Sequence, residues 1–175
     1  MKISNVKTNI IKCCSFYLNN SSGALLSCRW YIDKNIQNQN NSRIYFIVVD
    51  DIIKKIGGSG CKGGIKSTLS FYNSANQGKP SISRFGIQKL IIESLEKNKI
   101  VDVYLMFIDS VEINIQGLNE IKKCKVNISF KEMESLCIDD YVKIERCYPE
   151  WNYQESGNPW PKVIQESYIK HRKGV

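Results

Sequence analysis

The sequence predicts a strand-rich fold, either a β-barrel or sandwich or an α+β fold dominated by its sheet. Short runs of β-branched and aromatic residues recur along the chain, and clusters of Asn, Gly and Ser separate them. The chain has 175 residues, of which 42% are hydrophobic and 24% charged. These values predict a single domain with one buried core, spanning residues 1–175.

The first predicted unit is a β-hairpin. Residues 10–18 and 24–32 are the two strands, and the polar turn at 19–23 joins them. The Asn and Ser side chains of this turn offer hydrogen-bond donors and acceptors. The turn is therefore either a binding arm or a plain hairpin loop.

A buried strand is predicted at residues 43–49, where the sequence is RIYFIVV. Asp50 then stands where a helix N-cap would, before a short amphipathic turn at 51–56. Gly57 and Gly58 are interpreted as the end of that turn.

The middle of the chain is predicted to form further strands. Residues 67–73 and 84–92 are interpreted as strands that flank a polar loop at 74–83. Residues 100–108, with the sequence IVDVYLMFI, give the clearest strand pattern of all.

The last third is more mixed. Residues 109–123 have capping-box spacing for a helix but also alternate like a strand, so both remain open. Residues 125–130 are predicted as a strand and 131–137 as a short helix. The Trp- and Pro-rich segment at 149–161 is predicted to be extended and to pack against the body.

The composition favours a cytoplasmic protein with a polyanionic partner. The formal net charge is +8. No apolar run is long enough to cross a membrane, and the N-terminus lacks the pattern of a secretory signal. Seven cysteines without a C-x-x-C pair and a single histidine, His171, indicate reduced thiols rather than a metal site.

The positive charge is concentrated between residues 52 and 92, where no Asp or Glu occurs. Cations and backbone N–H groups in such a stretch can approach a phosphate without repulsion from a carboxylate. We interpret the stretch as a nucleic-acid contact surface; two soluble loops that happen to be basic are the alternative. Its cations are Lys54, Lys55, Lys62, Lys66, Lys79, Arg84 and Lys89.

The glycine-rich loop at 57–68 does not predict a nucleotide site. Gly58 and Gly63 have Walker A spacing, but Gly64 and Ile65 stand where Lys and Ser or Thr belong. A dinucleotide fingerprint also matches, at Gly58, Gly60 and Gly63. It lacks the long helix that should follow it, since 67–73 is interpreted as a strand.

The loop at 74–83 is better suited to DNA. Asn73, Asn76 and Gln77 carry amides that can pair with base edges. Lys79 and Arg84 can neutralise phosphates or reach guanine, and Pro80 stiffens the loop. Tyr72 and Phe85 are interpreted as anchors to the core.

At this loop the sequence resembles the N-terminal effector-binding domain of the EcoRII restriction endonuclease. The shared pattern is Tyr72-Asn73-Ser74, then Gly78-Lys79, then Ile82-Ser83-Arg84-Phe85-Gly86. The resemblance implies a seven- to eight-stranded DNA-binding pseudobarrel with short helices, related to plant transcription factors of the B-three class. It also implies two loop arms that grip the major groove. The arm here is shorter than in that family, with only Pro80 and Ser81 between the lysine and Ile82.

The resulting prediction is a sequence-specific module of a restriction or defence system that binds double-stranded DNA and has no catalysis, cofactor or metal of its own. A nuclease domain or subunit would be a separate partner. The predicted DNA-contacting residues are Asn20, Ser21, Ser22, Arg29, Lys62, Lys66, Asn73, Ser74, Asn76, Gln77, Lys79, Ser81, Ser83 and Arg84.

Two alternatives come from other classes of protein. Asp109 with Glu120 and Lys122 matches the loose D…E-x-K pattern of a Mg²⁺-dependent nuclease, in which carboxylates hold the metal. The other alternative is a protein-interaction domain whose basic loops bind an acidic partner.

Overall fold

The computed structural model describes residues 1–19 and 23–174. Five strands form its main sheet: β1 (Ile11–Leu18), β2 (Leu26–Trp30), β3 (Arg43–Val49), β4 (Ile52–Ser59) and β5 (Val101–Phe107). Their order is β2-β1-β5-β3-β4, and every pairing is antiparallel. The two central strands are β5 and β3, and all seven residues of β3 are buried.

Helices cover both faces of this sheet. They are α1 (Lys34–Gln37), α2 (Gly64–Asn73), α3 (Ile82–Glu96), α4 (Phe130–Glu145), α5 (Tyr153–Ser156) and α6 (Lys162–Lys173), with a 3-10 turn at Ile3–Asn5. Strand β3 alternates between two cores, because successive side chains point to opposite faces. Tyr45 and Ile47 pack with α2 and α3, whereas Ile44 and Phe46 pack with α4.

Two further strands, β6 (Val111–Gln116) and β7 (Ile121–Val126), form a separate antiparallel hairpin. The hairpin follows β5 and leads into α4. Residues 109–123, for which the sequence left helix and strand open, are therefore mostly strand and turn. In the described part of the chain, no helix is long and apolar enough to span a bilayer.

The predicted strands at 67–73 and 84–92 are wrong, since both segments are helical. Ile65, Thr68, Leu69 and Tyr72 are buried on one face at the spacing of an α-helix. In the second segment, the Ser81 side chain caps α3 by accepting a hydrogen bond from the Arg84 backbone N–H. Both segments are short apolar runs between polar loops, a pattern that strands and buried helices share.

The predicted helical turn at 51–56 is also wrong. Asp50 and Asp51 have positive φ values of 47° and 65°. They form the tight connection of a β3–β4 hairpin, which needs left-handed backbone at both central residues. Residues 52–59 then continue as β4, so Gly57 and Gly58 lie inside a strand.

The prediction of an α+β fold is confirmed, but its mainly β character and the seven- to eight-stranded pseudobarrel are not. Helices hold 37% of the residues and strands 28%, and the sheet does not close into a barrel. The predicted strands at 10–18, 24–32, 43–49 and 100–108 correspond to β1, β2, β3 and β5. The predicted strand at 125–130 instead straddles the end of β7 and the start of α4, and the helix predicted at 131–137 extends to Glu145.

Candidate active site

A cleft of about 260 Å³ opens where the β3–β4 hairpin meets α2, α3, α4 and α5. It is rich in polar and ionisable side chains from all of these elements. The lining residues are Tyr45, Lys55, Gly58, Tyr72, Ser81, Ser83, Arg84, Ile87, Glu134, Gln154 and Glu155. A second cavity of about 210 Å³ shares Tyr45, Tyr72 and Arg84 with it.

Two glycines of β4 make room for the functional side chains. A Cβ at Gly57 would lie 2.4 Å from the Tyr45 ring, which crosses the strand at this point. A Cβ at Gly58 would lie 2.9 Å from Oε2 of Glu134 and 2.8 Å from the Phe130 ring. Real side chains do not approach this closely, so both positions require glycine for the cleft to keep this shape.

Tyr45 and Tyr72 form a buried pair of phenols. Their hydroxyl oxygens are 2.7 Å apart, and their rings meet edge to face. Burial raises the pKa of Tyr72 to about 12 and raises the pKa of Tyr45 well above its ordinary value. Both phenols therefore keep their protons at neutral pH and can act as hydrogen-bond donors.

Lys55 is the buried cation of the cleft. Its exposed fraction is 8%, which is low for a lysine. Burial lowers the pKa of its ammonium group, and the carboxylates of Glu155 and Glu134 oppose that shift. A lysine whose pKa lies below the usual range is better able to exchange a proton near neutral pH.

Glu134 projects from the second turn of α4 into the cleft. Burial raises the pKa of its carboxyl group, while the hydrogen bond from the Gly58 backbone N–H and the charge of Lys55 lower it. The ionised carboxylate is thus held in a partly desolvated position, where a cation would stabilise it.

Arg84 supplies the permanent positive charge at the mouth of the cleft. It lies in the first turn of α3, and its guanidinium carbon is 4.0 Å from the centroid of the Phe71 ring. Ser83, beside it, has a buried hydroxyl oxygen without a hydrogen-bond partner in the described part of the chain. The N-terminus of a helix also presents unpaired N–H groups, so this corner of the cleft favours an anion.

The segment after α4 fixes the outer edge of β4. Asn152 is fully buried; its Nδ2 donates to the Ile56 carbonyl oxygen at 2.8 Å, and its Oδ1 accepts from the Ile56 N–H at 2.9 Å. The Trp151 N–H donates to the carbonyl oxygen of Lys54. These bonds bracket Lys55 and place α5, which carries Glu155, beside it.

The acidic side chains of the cleft are Glu134 and Glu155. Within residues 1–19 and 23–174, no group of three or more His, Cys, Asp or Glu side chains could cage a metal ion. Mg²⁺ does not need such a cage, because it keeps several waters and binds through one or two carboxylates together with substrate phosphates. The carboxylate of Glu134 beside a corner that favours an anion fits that mode of binding.

Three of the predicted DNA-contacting residues, Ser81, Ser83 and Arg84, line this cleft. Lys62, Lys66, Gln77 and Lys79 are exposed around α2 and the loop that follows it, and Arg29 is exposed on β2. Asn20, Ser21 and Ser22 lie outside the described residues.

The amides of the predicted recognition loop make internal contacts. Asn76 donates from Nδ2 to the Gly23 carbonyl oxygen at 2.9 Å, and its Oδ1 accepts from Nε2 of Gln88 at 3.1 Å. Asn73 lies 3.8 Å from the Cys28 sulfur, and the Ser74 hydroxyl donates to the Ser70 carbonyl oxygen. The structure thus joins the loop after α2 to the end of the β1–β2 turn.

The structure does not bring together the residues of the alternative site, Asp109, Glu120 and Lys122. Asp109 lies at the base of the β6–β7 hairpin, whereas Glu120 lies at its tip and forms an exposed ion pair with Lys122 at 3.1 Å. Six strand residues separate base and tip, which is roughly 20 Å. Two carboxylates that far apart cannot bind one metal ion.

The sequence reasoning missed Tyr45 and Glu134 as site residues, treated Tyr72 only as an anchor, and counted Lys55 only among the basic residues. One signal could have pointed to Tyr45. The pair Gly57 and Gly58 follows a run of β-branched residues and is opposite Tyr45 and Ile44 in the hairpin register. Glycine inside a strand often marks a close approach of another group.

No protein-family model matches the chain, and no curated protein matches it significantly. Two solved structures are similar in fold. The restriction endonuclease HPY188I in complex with product DNA is 21% identical, with a TM-score of 0.50, over 85% of this chain and 84% of that one. A variant of EndoII of bacteriophage T4 is 20% identical, with a TM-score of 0.53, over 82% and 91%.

These likenesses show a shared fold and agree with the predicted connection to restriction endonucleases only at that broad level. They give no support to the more specific resemblance to the effector-binding domain of EcoRII. The conclusion is that this chain has the fold seen in HPY188I and in EndoII.

Proposed function

We propose that this chain is a DNA nuclease whose cleft hydrolyses phosphodiester bonds in double-stranded DNA. The observation that carries the proposal is the meeting of a phenol pair, a buried lysine, an arginine and a carboxylate in one cleft. These are the groups that phosphoryl transfer requires: cations for the phosphate charge, a base for water and a carboxylate for a metal ion. The likeness to HPY188I, a restriction endonuclease solved with product DNA, supports DNA as the substrate.

Arg84 is the group that binds the scissile phosphate. Its guanidinium stays protonated and can form two parallel hydrogen bonds to phosphate oxygens. The packing of that guanidinium on the Phe71 ring restricts its orientation. One of the phenols Tyr45 and Tyr72 donates to the other, so the pair has one hydroxyl proton left to donate to the same phosphate or to the attacking water.

Lys55 is the base in this proposal. A base works best when its pKa is near the operating pH, and burial moves the pKa of Lys55 in that direction. Its neutral amine accepts a proton from water as the water oxygen bonds to phosphorus. The ester bond breaks, and the released sugar oxygen takes a proton from a second water molecule.

Glu134 would hold a divalent cation such as Mg²⁺. When bound, such an ion neutralises charge on the phosphate oxygens as the ester bond breaks. The hydrogen bond from the Gly58 N–H and the wall formed by Phe130 keep the Glu134 carboxylate facing the cleft.

The predicted recognition residues complete the proposal. Residues 1–175 act as one domain, and the exposed cations Lys62, Lys66 and Lys79 bind phosphates on both sides of the cut. The loop after α2 and the β1–β2 turn, which meet at Asn76 and Gly23, read the bases. This assigns sequence-specific recognition, in a restriction or defence context, to the same chain that cleaves.

The second candidate is the DNA-binding module without catalysis. The contact between the two loops favours it, because a two-armed grip on the major groove needs arms that are held together. In that case the cut would need a separate nuclease partner.

Cleavage of a circular duplex separates the two candidates. The chain is incubated with supercoiled plasmid in Mg²⁺ or in EDTA, with Arg84→Ala as the matched variant. The nuclease proposal predicts that only the parent protein in Mg²⁺ converts the plasmid to nicked or linear DNA. Intact plasmid with the parent in Mg²⁺, together with retained binding, would establish the binding module instead.

A further inference from the structure

The β6–β7 hairpin stands out from the body of the molecule. All six residues of β6 are exposed, and so are five of the six in β7. A two-stranded hairpin by itself is at best marginally stable in water. A surface of this kind is therefore suited to a partner.

Its register gives one face of the hairpin a polar, cationic character. Lys123 is opposite Asn114 and Lys125 is opposite Glu112, and these four side chains point to the same face. No carboxylate in the described part of the chain lies within 4 Å of the Lys123 or Lys125 ammonium group. Amides and unpaired lysines on one side of a ribbon complement a nucleic-acid groove.

The tip of the hairpin carries a fully exposed leucine. The turn closes through a hydrogen bond of 2.8 Å from the Gly117 N–H to the Glu120 carbonyl oxygen, and Leu118 projects from it. In the major groove, an apolar side chain can contact the methyl group of thymine. Leu118 is placed for such a contact.

The hairpin also adjoins the cleft. The chain that leaves β7 enters α4 at Phe130, whose ring packs against Gly58 and Gly60 at the end of β4. A polar groove of about 440 Å³ lies at the base of the hairpin, lined by Asn, Ser and Lys side chains together with Asp109.

We propose that the β6–β7 hairpin is a DNA-binding arm, in which Lys123 and Lys125 bind phosphates and Leu118 packs against the bases. The proposal rests on the proposed nuclease function for the identity of the partner. A ribbon of this kind fits the major groove of B-DNA, which is about 12 Å wide. The alternative partner of the hairpin is a second copy of this chain, which would bind the exposed apolar face with Val111, Ile113 and Ile115.

The test measures binding of the full chain to a fluorescent duplex of about three helical turns, in EDTA, across a range of salt concentrations. The variants are Lys123→Ala/Lys125→Ala and Leu118→Ser. Lys97→Ala/Lys99→Ala is the matched control, because those lysines lie before β5, at the opposite end of that strand from the hairpin.

The double lysine variant should lower the slope of log affinity against log salt by about 0.9 for each phosphate that the protein no longer neutralises. Leu118→Ser should weaken binding about fivefold or more without changing the slope, because leucine carries no charge. The control should behave like the parent. Parent-like affinity and slope in both hairpin variants would overturn the proposal.

Sedimentation of Ile113→Ser, which alters the apolar face, tests the alternative partner. Loss of a dimer, with unchanged DNA affinity, would make the hairpin a contact between copies of the chain and overturn the DNA-binding arm. Cleavage measured at saturating DNA distinguishes a failure of the DNA-binding arm from a failure of the proposed nuclease function. The control variant Lys97→Ala/Lys99→Ala should then cut at the parent rate, whereas a parent that never cuts refutes the nuclease and leaves the binding result to stand alone.

Discussion

The hydroxyl oxygens of Tyr45 and Tyr72 lie 2.7 Å apart in the floor of the cleft, with both rings buried. One tyrosine comes from the central strand β3 and the other from α2, so this bond ties the helix to the sheet at the candidate active site. Removing one hydroxyl leaves the other buried without a partner, whereas removing both leaves none unpaired.

Tyr45→Phe and Tyr72→Phe should each lower the free energy of unfolding by about 1–3 kcal/mol. The double variant should cost less than the sum of the two, because it leaves no buried hydroxyl unpaired. Denaturant unfolding of the four proteins completes the cycle. A strictly additive result would mean that the two hydroxyls are not coupled.

Lys55→Arg tests the base without removing the positive charge. Arginine stays protonated at every accessible pH, so it cannot take a proton from water. We expect cleavage to be lost by at least about 100-fold while DNA affinity remains near that of the parent.

The pH dependence of the parent follows from the same residue. Since only the neutral amine is active and burial lowers the pKa of Lys55, the rate should rise with pH and level off below the ordinary lysine pKa. Single-turnover rates across pH would check this. If Lys55→Arg cleaves DNA at the parent rate, Lys55 contributes only its positive charge and is not the base.

Gly57→Ala should destabilise the fold by about 1–3 kcal/mol, because its methyl group would overlap the Tyr45 ring. Gly60→Ala is the matched control in the loop that follows β4. Its methyl would lie 3.1 Å from the Phe130 ring, which a small shift relieves. Equal stabilities of the two variants, measured by thermal unfolding, would contradict the close packing of Tyr45 on β4.

The sequence predicted most strands of the main sheet but not the helix α2 beside the cleft. Strands β1, β2, β3 and β5 were predictable, because each is a β-branched or aromatic run bounded by turn residues. The helix α2 was not, because the short run around Leu69 and Phe71 satisfies strand and helix patterns equally until its packing is known. The basic stretch between residues 52 and 92 indicated the part of the surface that carries Arg84.

The cleft itself depends on contacts between residues far apart in sequence. Glu134 approaches Gly58 only after α4 has packed on the sheet, and no local pattern marks that glutamate among the other acidic residues. Asn152 reaches Ile56 across 96 positions of the chain. The spacing of these residues in the sequence does not indicate that either pair is in contact.

Asn152→Asp retains the acceptor for the Ile56 N–H but has no donor for the Ile56 carbonyl oxygen, and it buries a charge. We expect it to lower the free energy of unfolding by roughly 1–3 kcal/mol or more. Because Lys55 adjoins Ile56, cleavage at saturating DNA should also fall while DNA affinity changes little. A variant that loses stability but cuts at the parent rate would confine Asn152 to a structural role.

The most direct measurement of the nuclease proposal compares two glutamates. Single-turnover cleavage in Mg²⁺ is measured at saturating duplex DNA for Glu134→Gln and for Glu120→Gln, which alters an exposed carboxylate at the hairpin tip. The account predicts that Glu134→Gln loses cleavage while still binding DNA, and that Glu120→Gln cuts at the parent rate. Parent-like cleavage by Glu134→Gln would show that hydrolysis does not take place in this cleft.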